Sequence, residues 1–301
     1  RDLSSLRYAL CGAAPMPMEL IRQFEAKTGL TLLEGYGLTE GTCGSCANPI
    51  GGERRPGSIG LRMPYCEVAI KVLDEQGNYL REAAQNEIGN LCIRGTTVFK
   101  GYLQASKNEG IWVDGDWFNT GDLGRLDADG YVWLTGRSKD LIIRGGHNID
   151  PQMIEEALHK HPTVALAAAV GKPDVKAGEL PVVYVQLKPG QSISEAELLS
   201  HAAAHIPERA AVPKDVWIID AIPVTPVGKT FKPALRFDAI RRVYENALAD
   251  LGGNIRVEVL SDDQLGQVAH IHCPSLDAAL QQSIAQRLAG FAVRHLVHQD
   301  A

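Results

Sequence analysis

Four short segments of this 301-residue chain combine glycine with a hydroxyl or a charge. In Gly35-Tyr36-Gly37-Leu38-Thr39-Glu40 the glycines let the backbone turn tightly while a hydroxyl and a carboxylate project from one loop. Thr39 suits a phosphate, and Glu40 suits a magnesium ion, which prefers one or two carboxylates together with phosphate oxygens. Phe118-Asn119-Thr120-Gly121-Asp122-Leu123 puts a carboxylate in a predicted turn, where its two oxygens suit both hydroxyls of a ribose. Gly136-Arg137-Ser138-Lys139-Asp140 follows, and the planar fork of Arg137 suits a ribose hydroxyl or an α-phosphate. In Thr225-Pro226-Val227-Gly228-Lys229-Thr230-Phe231-Lys232, a lysine stands in a proline-stiffened loop beside a glycine that removes bulk. Such an ammonium would offset the repulsion between an attacking carboxylate and an α-phosphate and stabilise charge developing in the transition state. Taken singly, each segment also has a plain structural reading: a glycine-stabilised turn with an exposed acid, an aspartate closing its own turn, a solvated arginine or a solvated lysine.

The elements that must position these residues follow from apolar periodicity. Leu6 to Leu10 reads as a strand, Met18 to Thr28 as an amphipathic helix and Leu30 to Leu33 as a second strand, a βαβ rhythm. From Gly57 to Leu134 short alternating strands (Glu67 to Leu73, Gly89 to Arg94, Gly130 to Thr135) read as a β subdomain. After Arg137, Asp150 is a plausible N-cap with Pro151 at the first position of a helix to about His161. Strands at Val164 to Val170 and Val182 to Leu187, and a helix opened by the capping box Ser194-Glu195-Ala196-Glu197, complete a small unit. Residues 253–301 offer two strands, Ile255 to Leu260 and Gln267 to Cys273, and one amphipathic helix. The fold class expected is α/β and α+β, with domains at 1–138 and 139–243 and a β-β-α extension at 244–301 whose role stays open, a homodimer contact being one use for it.

Composition bounds the partners. With 45% hydrophobic residues, 30 Gly and 16 Pro the chain is globular and loop-rich. Its 30 Lys and Arg against 36 Asp and Glu, a net charge of -6, give no basic field for a nucleic acid. The longest apolar run, Val164 to Val170, is too short to cross a bilayer, and the six scattered cysteines lack a secreted disulfide framework, so a cytoplasmic protein with small buried thiols is expected.

The order of these segments, together with Gly12-Ala13-Ala14-Pro15 and Arg144-Gly145-Gly146-His147-Asn148-Ile149, resembles the superfamily of AMP-forming acyl-CoA synthetases, nonribosomal adenylation domains and luciferases from about Leu6 to Arg242. The resemblance implies a large adenylate-forming domain followed by a small mobile one, with ATP/AMP, Mg2+ and coenzyme A as cofactors or cosubstrates. Gly12, Ala13, Ala14, Pro15 and Tyr36, with Gly35 and Gly37 beside it, would flank the adenine; Thr39 and Glu40 would serve phosphate and magnesium; Asp122 and Arg137 would hold ribose. Lys139 would be the hinge about which the small domain swings to insert or withdraw the catalytic Lys229, and Gly145 and Gly146 would line the pantetheine tunnel. Phe99-Lys100-Gly101-Tyr102, Ile142-Ile143-Arg144-Gly145-Gly146 and Phe231-Lys232-Pro233-Ala234-Leu235-Arg236 look like bacterial fatty acyl-CoA synthetases, which implies a fatty or other carboxylic acid and coenzyme A as partners. An enzyme that loads a carrier protein and a non-catalytic interaction module are the alternatives. Two departures stand out. The family commonly has Gly-Glu-Leu at Gly89-Asn90-Leu91, and it carries a Ser/Thr/Gly-rich phosphate loop upstream that does not precede Leu6 here, so the expectation is a carboxyl-terminal part that is inactive alone.

Overall fold

Frequent glycine and proline cut the apolar runs short, and the result is a chain of many short strands and few helices. The computed structural model describes residues 2–226, 228–252, 254–262 and 265–300, and it divides into two units, one ending at Lys139 and the other beginning at Asp140. Among the described residues no helix is long and apolar enough to cross a membrane.

In the first unit β1 (Tyr8–Cys11), α1 (Met18–Thr28) and β2 (Thr31–Tyr36) form the expected βαβ element, with β1 and β2 parallel. The helix buries Ile21 and stops at Gly29, whose φ of 69° lets its N–H reach Glu25 O at 2.8 Å. β3 (Cys46–Ala47) extends this sheet antiparallel to β2, and β4 (Leu61–Arg62) follows antiparallel to β3. The β subdomain comprises β5 (Cys66–Leu73), β6 (Tyr79–Glu82), β7 (Gly89–Gly95), β8 (Trp112–Val113), β9 (Trp117–Leu126) and β10 (Val132–Arg137). Its antiparallel order is β10-β9-β7-β5-β6, with β8 on β9. Alternate side chains such as Ile70, Leu91 and Val132 face one apolar cluster.

Two expectations change here. Asp122 lies within the ten-residue strand β9, not in a turn. The turn-like signal is real but local: Gly121 has φ 74°, its N–H donates to Asn119 Oδ1 at 3.0 Å, and Asp122 N donates to Thr120 Oγ1 at 3.1 Å, which kinks the strand without ending it. Cys43 is exposed and Cys11 half-buried, whereas Cys46, Cys66, Cys92 and Cys273 are the buried thiols.

The second unit packs helices on both faces of one sheet. β11 (Ile142–Arg144), β12 (His147–Ile149), β13 (Val164–Asp174), β14 (Gly178–Leu187) and β15 (Asp215–Ile218) run in the order β12-β11-β14-β13, with β15 parallel to β14. Ala167, Ala169, Val183 and Val185 join α2 (Pro151–His159) and α3 (Glu195–His205) in one cluster, while Ala168, Val170, Val182 and Tyr184 join Leu235 and Ala239 of α4 (Lys232–Leu248) in another. Asp150 caps α2 by accepting from Gln152 N at 2.9 Å, and Ser194 with Glu197 forms the capping box of α3.

The same helix α4 continues past residue 243, and its Ile240, Tyr244 and Leu248 share a core with β16 (Arg256–Asp262), β17 (Gly266–Cys273) and α5 (Ala278–Leu288). The boundary expected at 243 therefore falls inside a helix whose two halves serve two sheets. A third strand, β18 (Arg294–Gln299), pairs parallel to β17 and makes the last element β-β-α-β.

Candidate functional site

The parallel pairing of β1 with β2 sets Cys11 opposite Glu34, so Gly12 follows beside Gly35 at the carboxyl ends of the two strands. A Cβ on Gly12 would stand 2.9 Å from Gly35 O, which makes glycine the residue that lets the two backbones approach. Gly12, Ala13, Ala14 and Pro15 are exposed there, with Ala13 in the left-handed region at φ 69°. Crevices outside the carboxyl ends of parallel strands are where open α/β sheets bind ligands.

After Tyr36 the chain must fold sharply, because a Cβ on Gly37 would fall 1.4 Å from Cys43 O. A 3-10 turn at Thr39–Gly41 follows, closed by Thr42 and Cys43 at φ 53° and 80°. It leaves Thr39 exposed and Glu40 half-buried. Glu40 is anchored at both ends: Phe99 N donates to its carbonyl at 2.8 Å, and Tyr102 Oη donates to its Oε1 at 2.7 Å. That hydrogen bond, with burial, pushes the Tyr102 phenol up to about 12. Tyr102 was not singled out from sequence as a site residue, although it closes the Phe99–Tyr102 segment.

Tyr36 also ties this turn to the β subdomain. Its hydroxyl donates to Asp122 Oδ2, and Arg137 Nε donates to Asp122 Oδ1 at 3.0 Å. Asp122 and Arg137 are direct partners across the β9–β10 ladder, brought opposite by a register shift between Leu134 and Gly136. Asp122 is only 7% exposed, whereas the Arg137 side chain is 65% exposed. Burial, and then the Asp122 charge, hold the Tyr36 phenol well above its ordinary range. Each carboxylate oxygen accepts one of these hydrogen bonds and keeps lone-pair capacity for another donor such as a hydroxyl. Among the described residues no group of three or more His, Cys, Asp or Glu could hold a metal ion. An ion beside Glu40 would thus rest on one carboxylate and on oxygens brought by a nucleotide, a donor set that suits magnesium.

In the second unit Lys229 sits half-buried in a tight loop. Thr225 N donates to Lys229 O at 2.7 Å, Lys229 N to Thr225 Oγ1 at 3.1 Å, and Gly228 N to Thr225 O at 2.8 Å. Gly228 has φ 81° and open space where a Cβ would be, so it serves the backbone rather than clearing bulk. Val227 lies outside the described residues. Gly145 and Gly146, at φ 56° and 85°, are the two-residue turn of the β11–β12 hairpin, and again nothing lies within 4 Å of either Cβ position. Lys139 is the last residue of the first unit, within the short turn Ser138–Asp140.

Comparison with known proteins matches residues 1–103 to the AMP-binding enzyme family and residues 153–229 to the AMP-binding enzyme C-terminal domain. The chain is 44% identical over 273 residues to the marinolic acid–CoA ligase of Pseudoalteromonas sp. (strain SANK 73390), covering 90% of this chain and 42% of that protein. It is 37% identical over 234 residues to the long-chain-fatty-acid–CoA ligase of Bacillus subtilis, covering 78% and 41%. The chain thus spans less than half the length of these relatives. Among solved structures, the anthranilate CoA ligase AuaEII in complex with anthranoyl-AMP superposes with a TM-score of 0.72 at 31% identity, over 80% of this chain and 46% of that one.

Proposed function

The chain belongs to the AMP-binding enzyme family, and on that footing we propose that the protein activates a carboxylic acid with ATP and passes the acyl group to coenzyme A. The acid's carboxylate attacks the α-phosphate, the bond to the β-phosphate breaks, and acyl-adenylate and pyrophosphate form. The thiol of coenzyme A then attacks the acyl carbon, loses its proton and expels AMP. The observation that carries this reading is the buried Asp122 carboxylate held between Tyr36 and Arg137 at the edge of the β1–β2 crevice.

In this reading Asp122 and Arg137 hold the ribose, while Tyr36 and the Gly12–Pro15 backbone, with Gly35 and Gly37 shaping the turn, border the adenine. Thr39 faces the phosphates, and Glu40, oriented by Tyr102, would hold the magnesium that screens their charge. Lys229 stabilises charge on the α-phosphate during attack, Lys139 is the hinge between the half-reactions, and Gly145 and Gly146 border the pantetheine arm. For the acid we propose a fatty acid; the long-chain fatty acid in the name of the Bacillus subtilis relative supports that choice. Incubating the intact protein with ATP, coenzyme A and a panel of fatty, aryl and short polar acids tests both levels. AMP and pyrophosphate released in equal amounts with an acyl-CoA, fastest for a fatty acid, is the expected result. Release of ADP, or of AMP without any acid, contradicts the reaction; preference for an aryl acid contradicts only the choice of substrate.

A further inference from the structure

The helix that follows the Lys229 loop starts without a side-chain cap, since Phe231 stands at the N-cap of α4 and makes no side-chain hydrogen bond to the first turn. An uncapped start leaves backbone N–H groups unsatisfied and a positive dipole end. Two ion pairs define it instead. Lys232 Nζ lies 2.8 Å from Glu155 Oε1 of α2, and Arg236, four residues on and on the same helical face, pairs with Asp140. All four side chains are mostly buried, Lys232 and Glu155 at 17% and 20% exposure and Asp140 the most open at 26%. Glu155 is itself fixed, because its Oε1 also accepts from Ala169 N of β13 at 2.9 Å. Burial raises the Glu155 carboxyl above its usual range while the Lys232 ammonium pulls it down, as expected of an acid that needs its cation.

We propose that Glu155 is a positioning residue for Lys229: through Lys232 it anchors the loop that presents the ammonium, and Arg236 ties the same helical turn to Asp140, the residue after Lys139. This rests on the role given to Lys229 above. The loop returns directly onto this anchor, with Phe231 N donating to Pro223 O at 2.8 Å and Lys232 next in the chain. A movement about Lys139 would then reach Lys229 through one fixed turn of helix instead of a slack loop. Removing one partner of a mostly buried pair leaves an uncompensated charge, so the anchor would loosen when either is replaced.

The test compares Glu155→Gln, Lys232→Met and Lys232→Arg with Lys229→Ala in the intact protein. Glu155→Gln and Lys232→Met are expected to lower kcat for adenylate formation about tenfold with KM for ATP and acid within about twofold, because a misplaced ammonium weakens the transition state and not ground-state binding. Lys232→Arg restores most of the rate lost in Lys232→Met. Amide hydrogen exchange rises in residues 225–231 of Glu155→Gln and stays at the parental level in α3. Unchanged kcat and loop exchange in Glu155→Gln, beside a Lys229→Ala variant that has lost adenylate formation, overturn the proposal and leave the Lys229 role standing. A rise in exchange spread evenly over the unit, or Lys232→Arg no better than Lys232→Met, also overturns it. Should Lys229→Ala be as active as the parent, the functional reading fails, and the loop exchange still decides whether Glu155 is the anchor.

Discussion

Asp150 does two opposed things at once. Its side chain caps α2, a position that favours a carboxylate, yet burial pushes its pKa up to about 6, with the Gln152 N–H pulling it down and the Glu155 charge adding to the rise. In the unfolded chain the group titrates at about 3.9. Between those values the folded state binds the proton more tightly, so the charge costs stability as pH rises from about 4 to about 6, and the full cost is present at neutral pH. Asn caps as well as Asp. Asp150→Asn is therefore expected to raise stability by about 1 kcal/mol at neutral pH, discounted for partial solvent screening, and to leave it unchanged below about pH 4. Urea titrations at the two pH values check this. At Asp122 the charge serves two donors, Tyr36 and Arg137. Asp122→Asn turns an NH2 toward one of them. About a tenfold rise in KM for ATP is expected from the loss of one charge-assisted hydrogen bond, together with a fall in the Tyr36 phenol pKa, read by ultraviolet titration.

Individual elements were legible in the sequence where the signal was local. The helix at Met18–Thr28, the Asp150-Pro151 start of α2 and the Ser194 capping box each rest on contacts within one turn, and each stands where the residues put it. Strand β9 was missed because its pairing is nonlocal: β7 and β10 hold Asp122 in a ladder, while the Asn119 and Thr120 side chains imitate a turn. β18 escaped because Arg294–Gln299 offers a short run with only Leu296 and Val297 apolar, and the parallel partner that orders it lies a helix away. The glycines divide according to what surrounds them in the fold. Gly37 faces a carbonyl oxygen 1.4 Å from its Cβ position, but Gly145 faces open space and is constrained by φ 56° alone. Gly145→Ala is expected to cost about 1 kcal/mol, the price of one left-handed residue, and Gly37→Ala more than about 3 kcal/mol because backbone must move. Denaturant midpoints of the two variants separate these cases.

At the scale of the molecule, the residues assigned to the nucleotide gather on the first unit, and Lys229 stands on the second. The sequence carried both sets through their order along the chain, but the tie between Lys229, α4 and Glu155 depends on side chains far apart in sequence and was not readable there. The last sheet is no loose appendage, since Tyr244 of α4 donates to Val293 O at 2.6 Å and shares its core. The alignment of 273 residues with the marinolic acid–CoA ligase is too long to stop before the sequence of this sheet begins. In the proposed reaction one ammonium group, that of Lys229, stabilises the charge on the five-coordinate phosphorus. Exchange of labelled pyrophosphate into ATP, driven by the preferred acid, measures adenylate formation without the later thioester step. With Lys229→Ala in the intact protein, exchange is predicted to fall about a hundredfold or more, while supplied acyl-adenylate is still converted to thioester at near the parental rate. Exchange persisting at the parental rate would contradict that role.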